Sequence, residues 1–353
     1  IGIDARLNFQ TGVGTYLRNL LHFLPEVAPD NVEFFVYVLP EDVTNITLHD
    51  KRFVLYGVDA RWHSLSEQTT FYRVIMQDEI DLMHFTYFGY PIFYKKPFLA
   101  TVHVLTPLLF KTGRASTLNP LWYEMKYRIF KKVLSTQIQN AESVITPSES
   151  VKKQLADIYG SDCASKTHAI PEGVNFELQQ AKERFHLKEE VGEQYFLYVG
   201  NFYPHKNVEA LIKAYSISGV STPLVLTGPD NDFAKRLKDM IDHEGIEEVR
   251  FIHSIENSDL IYLYKHAKAL INPSLSEGFG LPLIEAAYFD CPVIASDIPV
   301  FKELLGDSYT SFNPYDVQDI ALALKKDTFR NSKLKREFSF RNMAEEIMKR
   351  YMT

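Results

Sequence analysis

Along the chain, short runs of contiguous apolar residues alternate with longer segments in which apolar residues return every three or four positions. The first kind reads as buried strands, the second as amphipathic helices. In the first half the strand-like runs are FFVYVLP (34–40), FVLYGV (53–58), DLMHFTY (81–87), PFLATVHVL (97–105) and SVITPSES (143–150), after a strand-like opening, IGIDARL. TYLRNLLHFL (15–24) and LWYEMKYRIFKKVLSTQIQNA (121–141) are helical. The alternation pauses at FELQQAKERFHLKEEVGEQ (176–194), dense in charge and poor in aliphatic residues, and then resumes. YFLYVG (195–200), PLVLTGP (223–229), VRFIHS (249–254), KALINPS (268–274) and PVIAS (292–296) are strands. VEALIKAYSI (208–217), FAKRLKDMIDHEG (233–245), DLIYLYKHA (259–267) and LIEAAYFD (283–290) are helices.

Strands alternating with helices imply parallel sheets covered on both faces, and such strands are apolar along their whole length. The pause makes the expectation an α/β protein of two doubly wound, Rossmann-like units in series. The first spans 1–175, a linker covers 176–194, and the second spans 195–336. At 353 residues two domains are also what the length predicts. In open α/β sheets ligands sit at the carboxyl ends of strands, so a cleft between two such units is the expected site.

Composition narrows the function. Hydrophobic content of 46% and charged content of 24% are those of an ordinary globular protein, and no apolar run approaches a bilayer-spanning length. A net charge of −7 argues against nucleic acid as a partner. The cysteines, Cys163 and Cys291, lie too far apart for a metal-ligand motif, which fits a reducing compartment. The opening carries neither Met nor a secretory pattern, so a trimmed start and a cytoplasmic protein are expected.

The stretch SEGFGLPLIE (276–285) is the strongest chemical signal. The preceding strand ends at Ser274 and a helix begins near Pro282, which suits a first helical position. Gly278 and Gly280 permit a tight turn with exposed backbone N–H groups just before a helix N-terminus, a ready anion site. Glu277 is placed to accept hydrogen bonds from hydroxyls, and Glu285, in the first turn, to hold a vicinal diol such as a ribose. Singly, either glutamate reads as a solvated loop acid or a dipole-compensating one; jointly they favour a site. Two other patterns are set aside. TGVGTYL has Leu17 where a dinucleotide fingerprint needs its third glycine, and Asp230-x-Asp232 lies in a turn where Asp and Asn serve as turn and N-cap residues.

E-G-F-G-L-P-x-x-E, followed by CPVIASDIP, resembles the E-x7-E signature of family 4 (group 1) retaining glycosyltransferases. Those are GT-B enzymes, with two Rossmann-like domains facing a central cleft and a C-terminal helix that crosses back to the first. IGIDARLNFQTGVGTYLRNLL, ATVHVLTP, SVITPSES, IPEGVN and YVGNFYPHKNVEALIKAY resemble further family segments in the right order, and FSFRNMAEEIMKRY resembles the final helix, here about 337–353. The resemblance implies that Glu277 touches the donor sugar, with the backbone of Gly278, Phe279, Gly280 and Leu281 around sugar and phosphate. It gives the nucleotide ribose to Glu285 and the diphosphate to Lys206, in a site needing neither metal nor cofactor. Gly12 and Gly14 would sit in a first loop that approaches donor phosphate or acceptor, and His103 beside the sugar's 6-hydroxyl.

Three departures from the family pattern stand out. Asn201 and His205 stand where an Arg is usual in the phosphate motif, Val104 follows His103 in place of Asp, and Glu172–Gly173 replaces Asn–Gly. The diphosphate charge would then rest on Lys206, the loop amides and a protonated His205. The implied activity is transfer of a hexose from a UDP- or GDP-sugar to a glycan or lipid-linked hydroxyl. It would proceed by a front-face route with retention, as in bacterial polysaccharide mannosyltransferases. The alternative that the departures raise is a silent nucleotide-sugar binder that supports a partner enzyme. An epimerase of the same architecture is disfavoured by E-x7-E. FTYFGYPIFYKKPF (85–98) and LWYEMKYRIFKKVL (121–134) combine aromatics with Lys95, Lys96, Lys126, Arg128, Lys131 and Lys132. An amphipathic core helix with a solvated outer face is the simpler reading of these, and peripheral contact with the inner face of a membrane is the functional one.

Overall fold

Each apolar run expected as a strand forms one, always shorter than the run, and every strand pairing is parallel. The structure is a computed structural model that describes residues 1–109 and 120–353. They divide into one unit of residues 1–173 and 339–353 and another of residues 174–338.

The first unit holds β1 (Gly2–Asp4), β2 (Phe34–Val38), β3 (Phe53–Gly57), β4 (Met83–Phe85), β5 (Phe98–Thr101), β6 (Ser143–Thr146) and β7 (Thr167–Ala169), in the sheet order β3-β2-β1-β4-β5-β6-β7. Its helices are α1 (Thr11–Val27), α2 (Tyr72–Gln77), α3 (Thr106–Leu109), α4 (Pro120–Asn140), α5 (Glu149–Tyr159) and α6 (Ser161–Ser165). Most aromatics of the 85–98 segment are core: Phe85, Phe88, Tyr90, Tyr94 and Phe98 are buried, and only Phe93 among the phenylalanines there is largely exposed. The core reading is correct for them.

The second unit opens with α7 (Phe176–Gln180) and α8 (Lys188–Val191), which occupy the charged 176–194 stretch. Leu178, Leu187 and Val191, its few aliphatic residues, are buried in that unit's core. There follow β8 (Phe196–Val199), α9 (Val208–Ser218), β9 (Leu224–Thr227), α10 (Asp232–Glu244), β10 (Val249–Ile252) and α11 (Asn257–His266). Next come β11 (Ala269–Asn272), α12 (Leu281–Tyr288), β12 (Val293–Ser296), α13 (Pro299–Leu305), β13 (Thr310–Phe312) and α14 (Val317–Leu324). The sheet order is β10-β9-β8-β11-β12-β13. Asn231 caps α10 by accepting from the N–H groups of Phe233 and Ala234, which settles the Asp230-x-Asp232 turn as structural.

The last helix, α15 (Phe340–Tyr351), returns to the first unit and packs on α1. Ser339 caps it, and Phe340, Met343, Ala344, Ile347, Met348 and Tyr351 form its buried stripe at helical spacing. The Tyr351 hydroxyl lies 2.6 Å from Nδ1 of the buried His84, which ties the chain end to β4. No helix among the described residues is long and apolar enough to cross a membrane.

Candidate functional site

Both sheets reverse their strand order once, between β1 and β4 in the first unit and between β8 and β11 in the second. Loops leaving two such neighbouring strands run off in opposite directions and open a crevice at their carboxyl ends. In the second unit that crevice gathers the residues singled out from the sequence. After β8 the chain forms a tight turn, Pro204–Lys206, and after β11 it runs through Ser274 to Gly280 before α12 begins. The two loops are pinned by the Leu275 N–H, which donates to the His205 carbonyl at 2.8 Å.

Lys206 Nζ meets both oxygens of Glu277, at 2.7 and 2.8 Å, and the Ser274 hydroxyl donates to Glu277 Oε1 at 2.8 Å. The Ser274 N–H is itself held by Asn272 Oδ1 at 3.1 Å. Lys206 keeps 21% of its side chain exposed and Glu277 12%. Burial pushes the Glu277 carboxyl up, but the ammonium and the Ser274 hydroxyl together hold it below its ordinary value. An ion pair, mostly withdrawn from solvent, therefore sits at the mouth of the loop.

Gly280 adopts φ 114°, and a Cβ there would lie 3.0 Å from the Phe301 ring, so this loop position admits glycine alone. Phe279 is buried edge-on against Phe338 and anchors the loop from below. The helix starts at Leu281, one residue earlier than expected, and Glu285 consequently lies in its second turn. That corrects the first-turn placement and removes the dipole-compensating reading of Glu285. Glu285 is 7% exposed and accepts from the Tyr264 hydroxyl at 2.8 Å, and burial pushes its carboxyl up to about 7 against that hydrogen bond.

The expected protonated His205 is a second correction. Burial, with Lys206 next to it, pushes its imidazole down to about 4, so the ring is neutral at pH 7 and stacks on Tyr203. Asn201 contributes its carbonyl to the Tyr198 hydroxyl, which shapes the turn after β8. A cavity of about 600 Å³ adjoins this loop pair; Leu275, Asp297, Asn313, Tyr315 and Asp319 line it. Asn207, next to Lys206, donates to the Pro314 carbonyl on its wall at 2.8 Å.

In the first unit, His103 lies two residues beyond β5, buried edge-on against Tyr16 at 4.7 Å. Its Nε2 is 3.0 Å from the Thr86 carbonyl and its Nδ1 3.3 Å from Glu172 Oε1, so the residue that replaces the usual Asn is a partner of His103. Gly12 and Gly14 are not in a loop: both belong to the first turn of α1. Gly12 is exposed, whereas a Cβ on Gly14 would lie 2.5 Å from the Asn8 carbonyl, so Gly14 lets the helix pack on the chain leaving β1.

Residues 10–178 match the Glycosyltransferase Family 4 model and residues 179–339 the Glycosyl transferases group 1 model, so the two matches meet and run through both units. The chain belongs to the family 4, group 1 glycosyltransferases. It is 35% identical over 238 residues to the O-antigen chain mannosyltransferase RfbU of Salmonella typhimurium, covering 66% of this chain and 65% of that protein. To the O-antigen chain mannosyltransferase B of Escherichia coli it is 26% identical over 251 residues, 64% of each chain. These matches thus span less than two thirds of the relatives' own length. Among solved structures, sucrose-phosphate synthase from Thermosynechococcus elongatus superposes with a TM-score of 0.71 at 18% identity, over 99% of this chain and 94% of that one. Anabaena Alr3699/HepE in complex with UDP-glucose gives 0.70 at 16%, with the same coverage. At such identities the likeness is one of fold, the GT-B pairing of two Rossmann-like units.

In this family 4 glycosyltransferase, Asn201, His205, Lys206, Glu277, Gly278, Phe279, Gly280, Leu281 and Glu285 all fall on the two loops and the helix at the second unit's switch point, while His103, Gly12 and Gly14 belong to the first unit. Sequence reasoning missed the hydroxyl partners of both glutamates, Ser274 and Tyr264, because serine and tyrosine carry no spacing signal. It also missed a buried charge cluster past β1. Arg6 is bound to Asp4 at 2.7 Å and to Glu67 at 2.9 Å, donates to the Ala60 carbonyl and lies 3.8 Å over the Phe71 ring. The signal was present in DAR directly after an apolar run.

Proposed function

We propose that this chain transfers a hexose, mannose foremost, from a nucleoside-diphosphate donor to a hydroxyl of a glycan or lipid-linked saccharide, with retention at the anomeric carbon. One observation carries the reading: the cation Lys206 and the acceptor Glu277 are held together at the strand-order reversal, one on each loop. An arriving diphosphate competes with Glu277 for the ammonium. The carboxylate released from Lys206 accepts hydrogen bonds from sugar hydroxyls, while Ser274 keeps one oxygen in place. As the anomeric carbon–oxygen bond breaks, charge grows on the departing diphosphate, and Lys206 with the loop amides stabilises it. The acceptor oxygen bonds to the same face of the sugar and its proton passes to the leaving phosphate, so no protein carboxylate acts as nucleophile. Lys206 supplies the charge that a divalent cation supplies elsewhere, and transfer in this reading persists in EDTA.

Mannose is favoured because both O-antigen relatives are named mannosyltransferases. The test is transfer from GDP-mannose and from UDP-glucose to saccharide acceptors, with the anomeric configuration of the product read by NMR. Failure of both donors, or inversion, would sink the proposal. A silent nucleotide-sugar binder is the second reading, favoured by the neutral His205 and by Asn201 at the phosphate motif. Under it, a donor raises the melting temperature and no product forms.

A lipid-linked acceptor draws support from α4, where Met125, Lys126, Arg128, Ile129, Lys131 and Lys132 are exposed together. The side chains of 121–123 in that segment lie outside the described residues. An apolar face rich in lysine suits an anionic bilayer. Flotation with anionic liposomes tests it; absence of binding at low salt removes the lipid-linked option and leaves a soluble glycan.

A further inference from the structure

We propose that Tyr264 is a positioning residue for the donor: its phenol fixes one oxygen of Glu285 and keeps that carboxyl an acceptor for the ribose hydroxyls. The inference rests on the reading of Glu285 as the ribose partner and adds a residue to it.

Tyr264 comes from α11 and Glu285 from α12, so the contact is made between elements and not by sequence neighbours. Tyr264 is fully buried, stacked on Phe289 with ring centroids 6.0 Å apart, and its hydroxyl donates to Glu285 Oε2 at 2.8 Å. A carboxylate with so little exposure needs donors, and a phenol can supply only one. The geometry therefore leaves Oε1 as the oxygen open to a ligand.

Ribose hydroxyls donate best to an ionised carboxylate, whereas a protonated one offers a donor of its own. Burial works against ionisation of Glu285, and the Tyr264 hydrogen bond works for it. Among the described residues, the ionisable groups acting on the pair are each other and the buried thiol of Cys291, which burial pushes up to about 12 and so keeps neutral. Without the phenol, Glu285 holds its proton to higher pH. Donor affinity, which needs the ionised form, then begins to fall at a higher pH.

The experiment measures the affinity of UDP and GDP, and of their 2′-deoxy forms, between pH 5.5 and 9 by calorimetry on the full chain. For Tyr264→Phe the affinity profile should move to higher pH, with a deficit of about fivefold or more near pH 6.5 that closes towards pH 9. A purely structural role would lower affinity evenly across pH, and a parallel profile overturns the proposal. If Tyr264→Phe does not fold, 3-fluorotyrosine at 264, a stronger donor of the same shape, should move the profile to lower pH, and no movement overturns the proposal. Glu285→Gln separates the two levels of the argument. If it leaves the preference for ribo- over 2′-deoxynucleotide intact, the ribose reading itself falls. If it abolishes that preference while Tyr264→Phe keeps the wild-type profile, only the role of Tyr264 falls.

Discussion

Lys206→Ala leaves Glu277 with the Ser274 hydroxyl as its remaining partner in the cluster and 12% of its side chain in water. At 2.7 Å the lost attraction amounts to about 6 kcal/mol gross, taking an effective dielectric near 20. Desolvation of both groups offsets much of it. The carboxyl also has an escape, because it can take up a proton. From an ordinary value of 4.5, protonation at pH 7 costs about 3.4 kcal/mol, so the penalty of leaving the carboxyl unpaired cannot exceed roughly that figure, and the stabilisation lost with the wild-type pair adds to it. At pH 5 the same escape costs only about 0.7 kcal/mol. The variant should therefore be destabilised more at pH 7 than at pH 5, where the loss reduces to the wild-type pairing itself.

The sign agrees with linkage. The folded value of Glu277 is depressed, so its stabilisation is present above 4.5 and is lost as pH falls through the folded value. Thermal melts at both pH values give the assay, with shifts of about 2–4 °C per kcal/mol. Equal shifts at pH 5 and pH 7, or none at either, would refute an ionised Lys206–Glu277 pair. Turnover, measured separately, should fall by about 10²–10³, the scale for removing one transition-state charge stabiliser.

Other expectations follow from the same structure. Gly280→Ala forces a side chain into φ 114° against Phe301 and should cost about 1–3 kcal/mol, read by denaturant titration. His84 is buried between Tyr351 and Thr101, and burial pushes it down to about 3, so the unfolded chain binds the extra proton. Stability should consequently fall as pH drops from about 6.5 towards 3, and His84→Gln should flatten that slope in pH-dependent melts. Arg6→Met leaves Asp4 and Glu67 buried without their cation; a loss of about 3–5 kcal/mol is expected, and a neutral outcome would show the cluster to be dispensable.

Much of this was legible in the sequence, for reasons that particular residues make plain. Runs such as KALINPS and PVIAS have no polar face, and only a strand covered on both sides tolerates that, so the parallel sheets could be read directly. SEGFGLPLIE declared its turn because the left-handed backbone at residue 280 demands glycine. The charged 176–194 stretch resisted reading, since three aliphatic side chains among many charges are enough to dock two short helices. His205 was misread because its charge depends on burial, and burial is a property of the fold.

By itself, then, the sequence determined the two α/β units, the family and the position of the two loops to which the proposed chemistry is assigned. These are written in local periodicity, in glycine and in short motifs, all of which act over a few residues. Only the tertiary structure decided that Lys206 is already paired with Glu277, 71 positions away, that His205 is neutral, and that Tyr264 reaches Glu285 from another helix. Desolvation and hydrogen bonding set those outcomes, and both depend on which distant segments the sheet order brings together.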